Sequence, residues 1–141
     1  MMPTIFTRII NGELPGRFVW RDDDSVAFLS INPLRPGHTL VVPRAEVDHW
    51  VDLPVEANAQ LMRVAHAIGA AQMEAFHPAR VGLIIAGLEV PHVHLHVVPI
   101  DREHDLSFAN ADLAPSAEEM DAAAQCLRSA LRAQGASAVS D

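Results

Sequence analysis

The run Pro91-His92-Val93-His94-Leu95-His96-Val97-Val98-Pro99 limits what this chain can fold into more than any other segment. Imidazole and aliphatic side chains alternate through it. Side chains on a β-strand point to opposite faces in turn. A strand here puts His92, His94 and His96 on one face and Val93, Leu95 and Val97 on the other. The aliphatic face can pack on a helix, and the imidazole face looks outward or into a cleft. Same-face neighbours on a strand lie ~7 Å apart at the backbone, close enough for imidazoles to meet at one small ligand. On this reading the histidines belong to a polar face, so replacing one should leave the fold intact.

The rest of the chain supplies partners for such a strand. Thr4 to Asn11 reads as a short helix or turn, with Ile5, Phe6, Ile9 and Ile10 apolar at helical spacing and Gly12 ending it. Residues 17–30 read as a hairpin turning at Asp22-Asp23-Asp24, and Thr39 to Val42 as a strand stopped by Pro43. Asp52 to Phe76 is the main helix, with Pro54 in its first turn. Its mostly apolar face is Leu61, Val64, Ala65, Ile68, Ala71, Gln72 and Met73. Val81 to Ala86 and His92 to Val98 are strands around a tight connection at Gly87 to Pro91. Ser116-Ala117-Glu118-Glu119 resembles a capping box, which starts a helix over Ala117 to Ala133. Cys126 is expected to be a small buried residue of that helix, and the last six residues are expected to fray. This order predicts an α+β fold with a mainly antiparallel sheet, in one domain over 1–141. Residues 1–100 form its core, and 101–141 add a loop and a helix.

Composition narrows the function. All ten basic residues are Arg, so chemistry that needs lysine is excluded. The net charge of −8 opposes polyanions, which argues against nucleic-acid binding but not against a small anionic ligand. A lone Cys126 cannot form an intrachain disulfide, and cytoplasmic residence is the default expectation. No apolar run reaches the ~20 residues of a membrane span.

The histidine ladder admits three readings. It is a solvated polar face, a metal site, or an acid–base and nucleophilic centre. A metal site wants carboxylate or thiolate partners, and the neighbourhood offers only Glu89 and Asp101. Imidazole is the side chain that titrates near neutrality without help, which suits the third reading.

His92-Val93-His94-Leu95-His96-Val97-Val98 resembles the signature of the histidine triad (HIT) superfamily of nucleotide hydrolases and transferases. Three further segments are similar to that family's recurrent motifs, in its order. They are Ile5 to Pro15, Asp22 to Leu29, and Pro36-Gly37-His38-Thr39-Leu40-Val41-Val42-Pro43-Arg44. The resemblance implies a fold that usually dimerises and attack on a nucleotide α-phosphorus by the central histidine, here His94. It implies that His96 contacts the phosphate, His92 helps protonate the leaving group and His38 orients the ladder. A third histidine, His96, favours a hydrolase over the family's transferases. No cofactor is implied.

The resemblance also exposes departures. Many relatives hold a structural zinc through residues whose counterparts here are Thr4, Thr7 and Glu46. Thr is not an ordinary zinc ligand, so no metal is expected. The ribose-gripping stretch corresponds to Ser30-Ile31-Asn32, and the purine pocket to Phe6, Ile9, Phe28 and Ile31. The phosphate-binding loop corresponds to Gly87-Leu88-Glu89, where Leu has no donor and Glu is anionic. The expected activity is therefore hydrolysis of a purine nucleotide conjugate: a phosphoramidate, an adenylated adduct or a dinucleoside polyphosphate. The competing expectations are a nucleotide- or partner-binding module with little turnover, and a metal-dependent hydrolase using His92 and His94.

Overall fold

The computed structural model describes residues 2–141. Its elements run α1 (Ile5–Ile10), β1 (Phe18–Arg21), β2 (Ser25–Leu29), β3 (Thr39–Pro43), α2 (Val55–Phe76), β4 (Arg80–Ile84), β5 (Leu95–Ile100) and α3 (Ala117–Ala133). The strands form a five-stranded antiparallel sheet in the order β1-β2-β3-β5-β4, so the fold is α+β. No helix among the described residues is long and apolar enough to cross a membrane.

Register sorts the side chains between two faces. Phe28 lies opposite Leu40, and Leu40 opposite His96, so these three share a face. Ala27, Val41 and Leu95 share the other. α2 and α3 cover that second face, where Ile68, Leu127 and Leu131 pack with Val41, Leu95 and Val97 as one buried cluster. α1 covers the imidazole face, burying Phe6 and Ile9 against Phe18, Phe28, Leu40 and Val42. Thr4 caps α1 by accepting from the Thr7 N–H at 3.1 Å, and Ser116 caps α3 by accepting from the Glu119 N–H at 3.1 Å.

Several elements differ from the sequence reading. Pro54 stands just before α2, because Leu53 is held extended ahead of it and a 3-10 turn at Trp50–Asp52 fills the approach. Gln72 is fully buried, yet it is no passive member of the apolar face. Its Nε2 donates to the carbonyls of Gly37 at 3.0 Å and Val97 at 2.8 Å, pinning the loop before β3 to β5. Gly37 sits at φ +90 with the Phe76 ring against it, so no side chain fits there. β4 stops at Ile84, and β5 starts at Leu95 rather than His92. The Val93 N–H donates instead to the Val47 carbonyl at 2.8 Å, outside the β3 ladder.

The C-terminal tail is ordered. Arg21 N–H donates to the Ala138 carbonyl at 2.9 Å and Ser140 N–H to the Val19 carbonyl at 3.2 Å, so the tail satisfies the outer edge of β1. Cys126 is exposed, because the buried stripe of α3 runs through Met120, Ala123, Ala124, Leu127, Ala130 and Leu131 and leaves it outside.

Candidate active site

The four histidines converge on the α1 face, and their hydrogen bonds decide where each proton sits. The Leu34 N–H donates to His38 Nδ1 at 3.0 Å. A neutral His38 therefore carries its proton on Nε2 and donates it to His96 Nδ1, 2.9 Å away. His96 then carries its own proton on Nε2. His94 Nδ1 lies 2.7 Å from the His92 carbonyl, which can only accept, so His94 is protonated at Nδ1 and keeps a lone pair on Nε2. Neither His94 Nε2 nor His96 Nε2 has a partner among the described residues, and neither is closed off from solvent. The site thus presents a nucleophilic nitrogen beside an N–H donor, on rings 4.9 Å apart.

Burial keeps the ladder neutral. His38 is pushed down to about 3 by burial and by the neighbouring His96 and His94. His96 is pushed down to about 4 by burial and then by His94. His94 is also lowered, again by burial first, while the His92 carbonyl and the Glu89 carboxylate act the other way.

His92 departs from its expected role. It is completely buried. Its Nε2 lies 2.7 Å from the Pro43 carbonyl and must donate to it, so Nδ1 accepts from the Thr4 hydroxyl at 2.6 Å. Both ring nitrogens are spent, and none remains to protonate a leaving group. His92 instead braces the site. Its ring ties α1 to the end of β3, and its carbonyl orients His94. The expectation of a dispensable polar face fails for the same reason, since His38, His92 and His94 are all buried.

The residues corresponding to zinc ligands form part of this brace. The Thr4 N–H donates to Glu46 Oε1 at 2.7 Å, while Thr4 Oγ1 meets both Thr7 and His92. With two hydroxyls in the set and both His92 nitrogens committed, these residues do not fit a metal. The described residues contain no cluster of three His, Cys, Asp or Glu suited to one.

The other expected binding residues divide. Ile9, Phe28 and Ile31 line a cavity of about 310 Å³ together with Leu29 and Met120. Phe6 is buried between that cavity and the ladder, its ring centroid 5.7 Å from Phe28 and 4.9 Å from His94. Asn32 spends its amide nitrogen on the Asp112 carbonyl at 3.1 Å, so the side chain holds a loop. Ser30 Oγ accepts from the Asn32 N–H at 3.3 Å and keeps a hydroxyl proton to donate. Leu88 and Glu89 are exposed, and the backbone N–H groups of Gly87, Leu88 and Glu89 have no acceptor among the described residues. Gly87 adopts φ +75, which fits a concave backbone turn able to receive an anion.

Two features of the site carry no sequence signal. Phe108, from a stretch that reads only as polar loop, sets its ring edge-on to His96 at 5.2 Å. Arg35 reaches Asp105 at 2.7 Å and Asp101 at 3.1 Å, which fastens that stretch to the loop carrying His38. A larger groove of about 340 Å³ lies elsewhere, between α2 and β4 on the opposite face, and has no imidazole of the ladder in it.

Comparison with known proteins bears on the family and the fold. The HIT domain model matches residues 11–105. An uncharacterized HIT-like protein of Mycobacterium tuberculosis is 36% identical over 97% of this chain and 99% of its own length. An adenylylsulfatase of Arabidopsis thaliana is 28% identical over 91% of this chain and 67% of its own. Among solved structures, a zinc-bound histidine triad family protein from Mycobacterium smegmatis superposes with a TM-score of 0.80. It is 31% identical and covers 93% of this chain and 94% of that one.

Proposed function

The chain belongs to the HIT family, and from that premise we propose that it hydrolyses purine nucleotide conjugates at the α-phosphate through a covalent nucleotidyl-histidine on His94. The observation that carries this reading is the proton arrangement, a free lone pair on His94 Nε2 beside a free N–H on His96. His94 Nε2 attacks phosphorus, forming a P–N bond as the bond to the leaving group breaks. The His94 ring becomes cationic, and its Nδ1–H stays on the His92 carbonyl, which favours that charge. His96 Nε2–H hydrogen-bonds to a phosphate oxygen and keeps its proton, His38 supports it from behind, and the departing group takes its proton from solvent. Water then attacks phosphorus and gives up a proton to solvent, the P–N bond breaks, and the nucleotide leaves with His94 neutral again. The unpaired N–H groups around Gly87 receive a phosphate oxygen in place of side-chain donors. The base lies in the Ile9–Phe28 cavity. The relative named as an adenylylsulfatase supports an adenylated substrate.

The test is turnover of a panel: adenosine phosphoramidate, adenylyl sulfate and diadenosine polyphosphates, with and without EDTA. The reading expects chelator-insensitive release of adenosine monophosphate. One observation favours a binding module instead, namely Leu88 and Glu89 in the phosphate loop, with the Glu89 charge felt at His94. Tight nucleotide binding with no turnover of any substrate would select that module.

We further propose that residues 1–141 act as one domain and that two copies pair through β4. Among the described residues that strand pairs with β5 alone, whereas the tail covers β1 at the other edge. Beside β4 the groove lined by Gly69, Met73, Val81 and Leu83 offers apolar surface. Light scattering should return twice the mass of one chain.

A further inference from the structure

The cavity at the end of β2 has an apolar floor and a polar rim. Ile9, Phe28 and Met120 form the apolar part. The charged lining residues are Arg17, ahead of β1, and Asp121, in the first turns of α3. They meet in one contact, Arg17 Nε to Asp121 Oδ1 at 2.7 Å. That contact uses one of three guanidinium nitrogens and one of two carboxylate oxygens. Arg17 Nη1 and Nη2 and Asp121 Oδ2 have no partner among the described residues. An ion pair this exposed contributes little to stability. α3 is held instead by Leu127 and Leu131 in the core. The pair is therefore not needed to hold α3, and it places N–H donors beside an acceptor at the mouth of an apolar slot.

We propose that Arg17 and Asp121 read the edge of the base and select a 6-aminopurine. The inference rests on the nucleotide-hydrolase reading above. The exocyclic amino group donates to Asp121 Oδ2, and the neighbouring ring nitrogen accepts from an Arg17 Nη–H, while the purine faces pack on Ile9, Phe28 and Met120. Asp121 lies beyond residues 11–105, the segment shared with the family model, so the choice of base rests partly on a helix outside that segment.

The test compares the 5′-phosphoramidates of adenosine and of purine riboside, which lacks the 6-amino group. The parent should favour adenosine in kcat/KM by about 2–10-fold, the equivalent of one hydrogen bond. Asp121→Ala should bring that ratio to about one. Arg17→Met should lower kcat/KM for both conjugates, because both carry the ring nitrogen. A purely structural role would change both substrates alike in Asp121→Ala and leave the ratio where it was. A parent ratio of one, or a ratio unmoved in Asp121→Ala, overturns the proposal. If the parent cleaves neither compound, the hydrolase reading fails by itself. Calorimetric binding of the two 5′-monophosphates then decides the base reading by the same ratio.

Discussion

Acidification from pH 7 to pH 5 should weaken the fold by about 2–4 kcal/mol, through the histidine ladder. His38 is held down to about 3 and His96 to about 4 in the folded protein, against an ordinary value of 6.5. Between pH 6.5 and those values the unfolded chain binds protons that the folded chain refuses. Stability therefore falls as pH falls, and the loss begins at the unfolded value of 6.5. At pH 5 a histidine kept fully neutral costs ~2 kcal/mol relative to pH 7, at ~1.4 kcal/mol per pKa unit. His38 is buried and counts in full, while half-buried His96 contributes about half as much by solvent screening, ~1 kcal/mol. His92 and His94, also lowered by burial, act in the same direction. The carboxylates of Asp22, Asp101 and Asp105 are lowered from 3.8, so what they contribute is lost only in more acid solution, below this window. Urea unfolding at pH 7, 6 and 5 and constant ionic strength measures the effect. His38→Gln should remove about one proton from the linkage. A stability that is flat or rising from pH 7 to 5, or a slope unchanged in His38→Gln, would refute the neutral buried ladder.

Thr4→Val should cost about 1–3 kcal/mol, because it leaves the buried His92 Nδ1 without a donor, and it should lower kcat more than it raises KM. Urea midpoints and steady-state kinetics measure the two effects. Glu89→Gln should raise turnover of dinucleoside polyphosphates relative to a phosphoramidate, since the carboxylate whose charge reaches His94 opposes each added negative charge. An unchanged ratio would place Glu89 away from the phosphate. Elemental analysis of the purified protein should find no stoichiometric zinc, and about one zinc per chain would contradict the hydrogen-bonded brace at Thr4, Thr7, Glu46 and His92.

The sheet was legible because its strands are punctuated. Pro43 ends β3, the Asp22-Asp23-Asp24 turn joins β1 to β2, and the alternation in Val93, Leu95 and Val97 marks the core face. The period of two put His92, His94 and His96 on one face, although only His96 lies within β5. The division of labour within the ladder did not follow from it. Whether a histidine is a brace or a nucleophile depends on partners far away in sequence, 88 residues from Thr4 to His92 and 58 from His38 to His96. Alternation also said nothing of burial, because α1 crosses the polar face and seals His92. The C-terminal tail misled for a similar reason. Its sequence resembles any frayed end, and only the open edge of β1 gives it a place. Asp121 and Phe108 carry no local pattern at all. Only the fold sets them beside the cavity and the His96 ring.

The central claim is that His94 Nε2 is the nucleophile, and rapid acid-quench labelling with an α-phosphate-labelled adenosine conjugate tests it most directly. Mass spectrometry of the quenched protein should find the adenylyl group on His94 alone, and His94→Ala should lose label and turnover together. Label on His92 or His96, or label retained in His94→Ala, would contradict the account.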